Sequence, residues 1–155
     1  MRITVHSVAG RLPAWVDQGV KEYEKRLPRE LRLSWRTVPV ASGQGDNAEL
    51  QREREGRAIL KGLREGEHCI ALDGRGRAWS TEELATQLKE WLMGGQDLAL
   101  LIGGPDGLSS QCLDAAQQRW SLGPLTLPHP LVRVLLAEQL YRAWTITIGH
   151  PYHRA

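Results

Sequence analysis

The sequence predicts an α/β fold, a mostly parallel sheet with helices on both faces, and three observations predict it. The first is Leu98 to Ile102, five apolar residues without alternation, closed by Gly103, Gly104, Pro105 and Gly107. An unbroken apolar run ended by turn residues reads as a strand buried on both faces of a parallel sheet. The second is the order of the patterned segments, which alternates strand and helix from end to end. The third is the last helical stretch, from Pro130 to about Trp144, whose strongly polar residues are only Arg133, Glu138, Gln139 and Arg142. A helix this apolar must be covered on more than one side, so a partner subunit is expected. At 155 residues the chain is most economically one domain, taken as 1–155.

In chain order, Ile3 to Val8 is the first strand, ended by Ala9 and Gly10. Leu12, Trp15, Val16, Val20, Tyr23 and Leu27 then share one helical face, with Pro13 in the first turn and Pro28 as the stop. Leu31, Leu33 and Trp35 alternate with Arg32, Ser34 and Arg36, which gives a strand with one wet face. Ala41 to Asp46 is a loop, and Asp46 with Glu49 forms a capping-box variant at the start of a charged helix. There Arg52, Arg54 and Arg57 interleave with Glu53 and Glu55, a solvated face with local ion pairs or else a basic lip for RNA. Cys69 to Leu72 is a short apolar strand ending at Asp73-Gly74-Arg75-Gly76. Ser80 and Glu83 open a helix that buries Leu84, Leu88, Trp91 and Leu92 and stops at Gly94 and Gly95. After the central strand, Ser109 caps a short helix through Leu113 and Ala116, and Trp120 to Leu122 is the last strand.

The totals exclude several classes. Lys and Arg number 20 against 18 Asp and Glu, so the protein is not a polycation. No apolar run approaches a membrane span and Met1 to Val5 is too short for a signal peptide, so a cytoplasmic protein is expected. Cys69 and Cys112 stand alone, without a CxxC pattern, and read as core residues. There is no GxGxxG after a strand, no P-loop and no GxSxG elbow. No metal is expected, since His150 and His153 lack a third ligand nearby.

What remains is three loops that follow apolar strands, at Leu72 to Gly74, Ile102 to Pro105 and Leu122 to Leu127. Brought to one sheet edge they would form an apolar slot lined by backbone groups, suited to an adenine. The glycines there let backbone approach a ligand. Beyond the last helix, Gly149-His-Pro-Tyr-His-Arg154 gathers two imidazoles, a phenol and a guanidinium in a terminal tail.

Leu101-Ile-Gly-Gly-Pro-Asp-Gly-Leu-Ser109, Leu125-Thr-Leu-Pro-His-Pro-Leu-Val-Arg133, Glu138-Gln-Leu-Tyr-Arg-Ala-Trp144 and His150-Pro-Tyr-His-Arg154 together resemble the ribosomal RNA large subunit methyltransferase H family, of the knotted SPOUT class. The resemblance spans the whole chain, with Asp106 where a Glu is common and Gly123-Pro124 inside the pocket loop as mild departures. It implies transfer of a methyl group from S-adenosyl-L-methionine to N3 of a pseudouridine in 23S ribosomal RNA of the assembled ribosome. It also implies a homodimer and a C-terminal trefoil knot. The cofactor positions it implies are Leu72, Gly103, Gly104, Leu122, Gly123, Pro124, Leu125, Thr126 and Leu127.

Methylating an imide nitrogen requires loss of its proton, for which a histidine is the ordinary base. His129, next to the pocket loop, and His153, on the tail, are both candidates. Tyr152 is expected to stack on a base and Arg154 to hold phosphate or the imide anion, with Arg133 and Arg142 as weaker RNA contacts. Two other readings stay open at this point. One is a ribosome-binding assembly factor without catalysis, and the other is an α/β enzyme that uses a different nucleotide.

Overall fold

The structure is a computed structural model that describes residues 1–41 and 47–154. Five strands are described: β1 (Arg2–Val8), β2 (Arg32–Val38), β3 (His68–Ala78), β4 (Leu98–Ile102) and β5 (Gln118–Ser121). They lie in the order β2-β1-β4-β3-β5, and every neighbouring pair is parallel. Between and after them run α1 (Ala14–Glu24), α2 (Ala48–Lys61), α3 (Thr81–Gly94), α4 (Ser110–Ala115), α5 (His129–Thr147) and a 3₁₀ turn at Pro151–His153. The expected α/β class and the alternating order are what the chain forms.

β4 is the middle strand, with all five residues buried. Its side chains alternate between two cores. Leu98, Leu100 and Ile102 join Ile3, Val5, Ile70 and Trp120 beneath Leu88 of α3 and Leu136 and Leu140 of α5. Ala99 and Leu101 join Cys69, Ala71 and Val38 beneath Ile59 of α2 and Cys112 of α4. Both cysteines are thus core residues, and burial pushes the Cys69 thiol up to about 11.

Register decides where the loops emerge. Ile102 is level with Ser7 on one side and Leu72 on the other, and Leu72 is level with Trp120. The strand ends therefore form one edge, as the doubly wound arrangement requires for a ligand site.

Four readings need correction. β3 does not stop at Leu72 but continues to Ala78, leaving its register with β5 between Leu72 and Arg77, both of which pair with Trp120. Gly76 permits that return, because a Cβ there would stand 2.6 Å from the carbonyl carbon of Arg119. α2 is capped by Asn47, whose side chain accepts from the Leu50 N–H, while Asp46 and the rest of the loop 42–46 lie outside the described residues. Glu55 is not solvated: it is 3 % exposed, and its Oε2 accepts from the Ala41 N–H. None of the ion pairs among the described residues lies on α2.

α5 is covered within the chain more fully than its composition suggests. It lies on the sheet between α1 and α3, packed on Val16 and Val20 of α1 through Ala137. The chain itself therefore covers more of this helix than a sheet alone would. What stays exposed is Leu131 near its start and Ile148 just past its end. Among the described residues no helix is long and apolar enough to cross a membrane.

Candidate active site at the carboxyl edge of the sheet

Two cavities adjoin at the strand ends and share Ile102, Leu127 and Val132. The smaller, about 180 Å³, is walled by Leu72, Trp120, Leu122, Gly123 and Leu125, with Asp73 and Ser121 supplying polar groups. This is the slot expected from the first and third loops. The larger, about 470 Å³, holds Gly103, Gly104 and Pro105 together with Val8, Gly10, Arg11, Val40 and His129. The expected cofactor residues are thus brought to one edge but divided between two chambers. Pro124 and Thr126 are exposed and line neither.

The physical reason for Gly103 and Gly104 differs from the expected one. A Cβ on Gly103 would sit 2.4 Å from the carbonyl carbon of Gly107, so the loop's own return excludes a side chain. A Cβ on Gly104 would meet Val8 at 3.0 Å and the Glu55 carboxylate at 3.2 Å. Both glycines serve packing within the protein before they serve any ligand. Asp73 is a site residue not singled out from sequence as a side chain. Arg75, donating to it from Nε and Nη2, holds its carboxyl below the usual range, so the slot carries an anion.

His129 begins α5 and faces inward through Nε2. Arg133, one turn on, donates from Nε to that nitrogen at 3.2 Å, and Ser7 Oγ lies 3.0 Å from it. Arg133 also donates from Nη2 to Ser7 Oγ and Thr37 Oγ1, each at 2.9 Å, and its guanidinium lies over the Trp35 ring. Burial, and then the Arg133 charge, lowers the His129 pKa. Arg133 is itself only 6 % exposed. The expectation that it holds RNA phosphate runs against this burial, with Nε and Nη2 both engaged inside the protein.

The tail is docked rather than frayed. His150 caps the terminal turn by accepting from the Tyr152 N–H, and its own N–H donates to the Thr145 carbonyl. The Tyr152 ring meets Tyr141 edge-on, with centroids 4.6 Å apart, and its hydroxyl donates to Glu138 Oε1 at 3.1 Å. Burial, with Glu138 beside it, pushes the Tyr152 phenol up to about 12. Arg142 pairs with the same carboxylate at 2.6 Å and lies over the Tyr152 ring. Both Tyr152 and Arg142 are thus engaged in holding the tail, whereas Arg154 is exposed. His153 is half-buried, with a buried Nδ1 that has no partner among the described residues.

Among the described residues, none of 149–154 lines either cavity. The tail rests on Glu138, six residues along α5 from the shared wall Val132, which is about 9 Å of helix.

A family model described as "Predicted SPOUT methyltransferase" matches residues 1–153. The proteins called ribosomal RNA large subunit methyltransferase H from Hahella chejuensis and Alkalilimnicola ehrlichii are 55 % and 53 % identical to this chain. Each match covers at least 99 % of both chains. The one from Pseudomonas putida is 47 % identical over 99 % of this chain and all of its own. The chain belongs to the ribosomal RNA large subunit methyltransferase H family.

Two solved structures share this methyltransferase's fold. A probable methylase family protein from Haemophilus influenzae superposes with a TM-score of 0.57 at 13 % identity, over 97 % of this chain and 69 % of its own. TrmJ from Z. mobilis gives 0.51 at 16 % identity, over 93 % and 69 %. For the methyltransferase, sequence reading missed Ser7, Thr37 and Glu138, which touch the predicted residues His129, Arg133 and Tyr152. Only Glu138 carried a signal, its spacing of four from Arg142. Among the described residues no group of three metal-ligating side chains is present.

Proposed function

We propose that this protein methylates N3 of a pseudouridine in 23S ribosomal RNA on the assembled ribosome, using S-adenosyl-L-methionine, as a cytoplasmic homodimer. The observation that carries the reading is identity of 47–55 % across the full chain to proteins named ribosomal RNA large subunit methyltransferase H. A trefoil-knotted C-terminal part is included in the proposal as the SPOUT membership implies.

The slot fits the cofactor on its own terms. Apolar walls at Leu72, Leu122, Leu125 and Leu127 suit a purine, and the Asp73 carboxylate suits hydroxyl groups or a cationic centre. When bound, the cofactor supplies a methyl group activated by a positively charged sulfur. The chain's own part is to seat the two reactants side by side, in chambers joined at Ile102, Leu127 and Val132.

In the proposed homodimer the tail of one subunit reaches the slot of the other, since the two stand apart within a chain. Exposed Trp15 on α1 and Leu131 on the adjoining α5 supply apolar surface for the contact. Arg154 and His153 then face the target nucleotide. The test is a mass spectrum of ribosomal RNA from a strain lacking the protein, paired with methyl transfer by the purified protein to purified ribosomes. Loss of one methyl mark and its restoration support the reading. An unchanged spectrum, with cofactor binding absent by calorimetry, returns the protein to the non-catalytic assembly factor.

A further inference from the structure

We propose that His129 is a fixed hydrogen-bond donor to a carbonyl oxygen of a pyrimidine imide seated in the larger chamber, and not the base that removes its proton. The inference rests on the methyltransferase reading and assigns the chamber's occupant and one residue's role.

Arg133 sets the tautomer of His129. The Nε–H of Arg133 is a donor in every protonation state met in a protein. Its partner at 3.2 Å, His129 Nε2, must therefore be the acceptor. Ser7 fits the same polarity: its oxygen accepts from Arg133 Nη2 and its own proton is free to turn toward His129 Nε2, 3.0 Å away. With Nε2 unprotonated, a neutral His129 carries its proton on Nδ1. Nδ1 has no protein partner among the described residues, and His129 lines the chamber.

The arrangement holds that tautomer firmly. Arg133 is fixed by Ser7 on β1, Thr37 on β2 and the Trp35 ring, so it cannot swing away to let Nε2 take a proton. The charge that acts on the ring is that of Arg133 on α5, and the exposed Arg11 lines the same chamber from the β1–α1 connection. No carboxylate lines the chamber among the described residues. A second positive charge on the ring is therefore opposed, and the lowered pKa agrees.

The chamber is lined by Val8, Val40, Ile102 and Val132, apolar walls that suit a flat ring. An imide presents two carbonyls flanking N3. As N3 gives its proton to water, negative charge spreads onto those oxygens. A preset Nδ1–H donor meets that charge without having to reorient. Arg11 at the rim adds a cation of the right sign.

The direct test does not depend on catalysis. In protein labelled with ¹⁵N at histidine, two-bond proton–nitrogen correlations report the tautomer of His129. The expected result is the neutral Nδ1–H tautomer at neutral pH, with any titration below the ordinary histidine range, in the parent and in Ser7→Ala, which keeps Arg133. A Nε2–H tautomer, or titration of His129 near pH 6.5, overturns the proposal. The second arm is methyl transfer to ribosomes by His129→Asn, whose amide N–H mimics Nδ1–H, and by His129→Gln, whose amide mimics the Nε2 position. Asn should keep activity within about tenfold, while Gln and Ala lose on the order of a hundredfold, the usual effect of removing one such donor. The pH profile of His129→Asn should keep the parent's shape. Equal losses in Asn and Ala, or a vanished limb of the pH profile, would make His129 the base. A parent protein inactive on ribosomes would refute the function but leave the tautomer measurement standing.

Discussion

A Cβ on Gly103 would lie 2.4 Å from the Gly107 carbonyl carbon, against 3.0 Å to a side-chain methyl of Val8 for one on Gly104. Backbone cannot yield as a side chain does, so the two positions differ in kind. Gly103→Ala should lower stability by roughly 1–3 kcal/mol, the range for overpacking, and Gly104→Ala by less. Denaturant melts of both variants check this. A Gly103→Ala variant as stable as the parent but unable to bind S-adenosyl-L-methionine would instead show that the glycine serves the ligand. His6 makes a second prediction at this scale. It is 1 % exposed, its Nδ1 is 3.1 Å from Arg36 Nη1, and burial first, then Arg36, lowers its pKa to about 4. It is neutral when folded and takes up a proton on unfolding below its ordinary pKa. Its contribution is therefore complete above pH about 6.5 and lost as the pH falls toward 4, a change of about 3 kcal/mol at most. Stability measured from pH 7 to 4 should fall over that window, and His6→Gln should flatten the fall.

At the scale of elements, the tail is a clasp on α5, and removing it has two separable effects. Deleting residues 152–155 removes the edge-on Tyr152–Tyr141 contact and the hydrogen bond to Glu138 while leaving the Glu138–Arg142 pair in place. About 1–2 kcal/mol of stability should go with the aromatic contact and the bond. Methyl transfer should vanish while S-adenosyl-L-methionine binding persists, because the slot is built from other elements. Calorimetry beside a ribosome assay separates the two, and near-normal transfer by the shortened chain would make the tail a structural clasp only. Elements with strong periodicity were legible from sequence: the buried run of β4, the Ser80 cap of α3 and the helix α5 all fall near where pattern puts them. The misses have a common cause. The extension of β3 through Asp73-Gly74-Arg75-Gly76, the burial of Glu55 among charged neighbours, and the docking of Tyr152 are decided by distant partners. Local composition at each of them reads as turn, solvated face or frayed end. The slot was legible because strand ends in a parallel sheet share an edge, and its division into two chambers was not, because that depends on where Ile102, Leu127 and Val132 meet.

For the whole molecule, the separation of tail and slot on one chain makes subunit number a matter of chemistry. Trp15 and Leu131 are each close to half exposed, on helices that pack side by side. A charge there should break a symmetric contact twice, once in each subunit. Leu131→Glu should therefore sediment as a folded monomer that binds S-adenosyl-L-methionine but does not methylate, where the parent sediments as a dimer at micromolar concentration. The sharper experiment mixes two inactive chains, one lacking residues 152–155 and one with its slot filled by Leu122→Trp. If slot and tail act across the interface, each mixed dimer holds one complete site, built from the intact slot of the first chain and the intact tail of the second. Random re-pairing makes half the dimers mixed, each with one working site of two, so activity should return to about a quarter of the parent's. If instead each chain acts alone, both partners remain inactive and mixing restores nothing. The parent's sedimentation, the two single variants and the mixture together distinguish a shared site from a dimer that merely covers apolar surface.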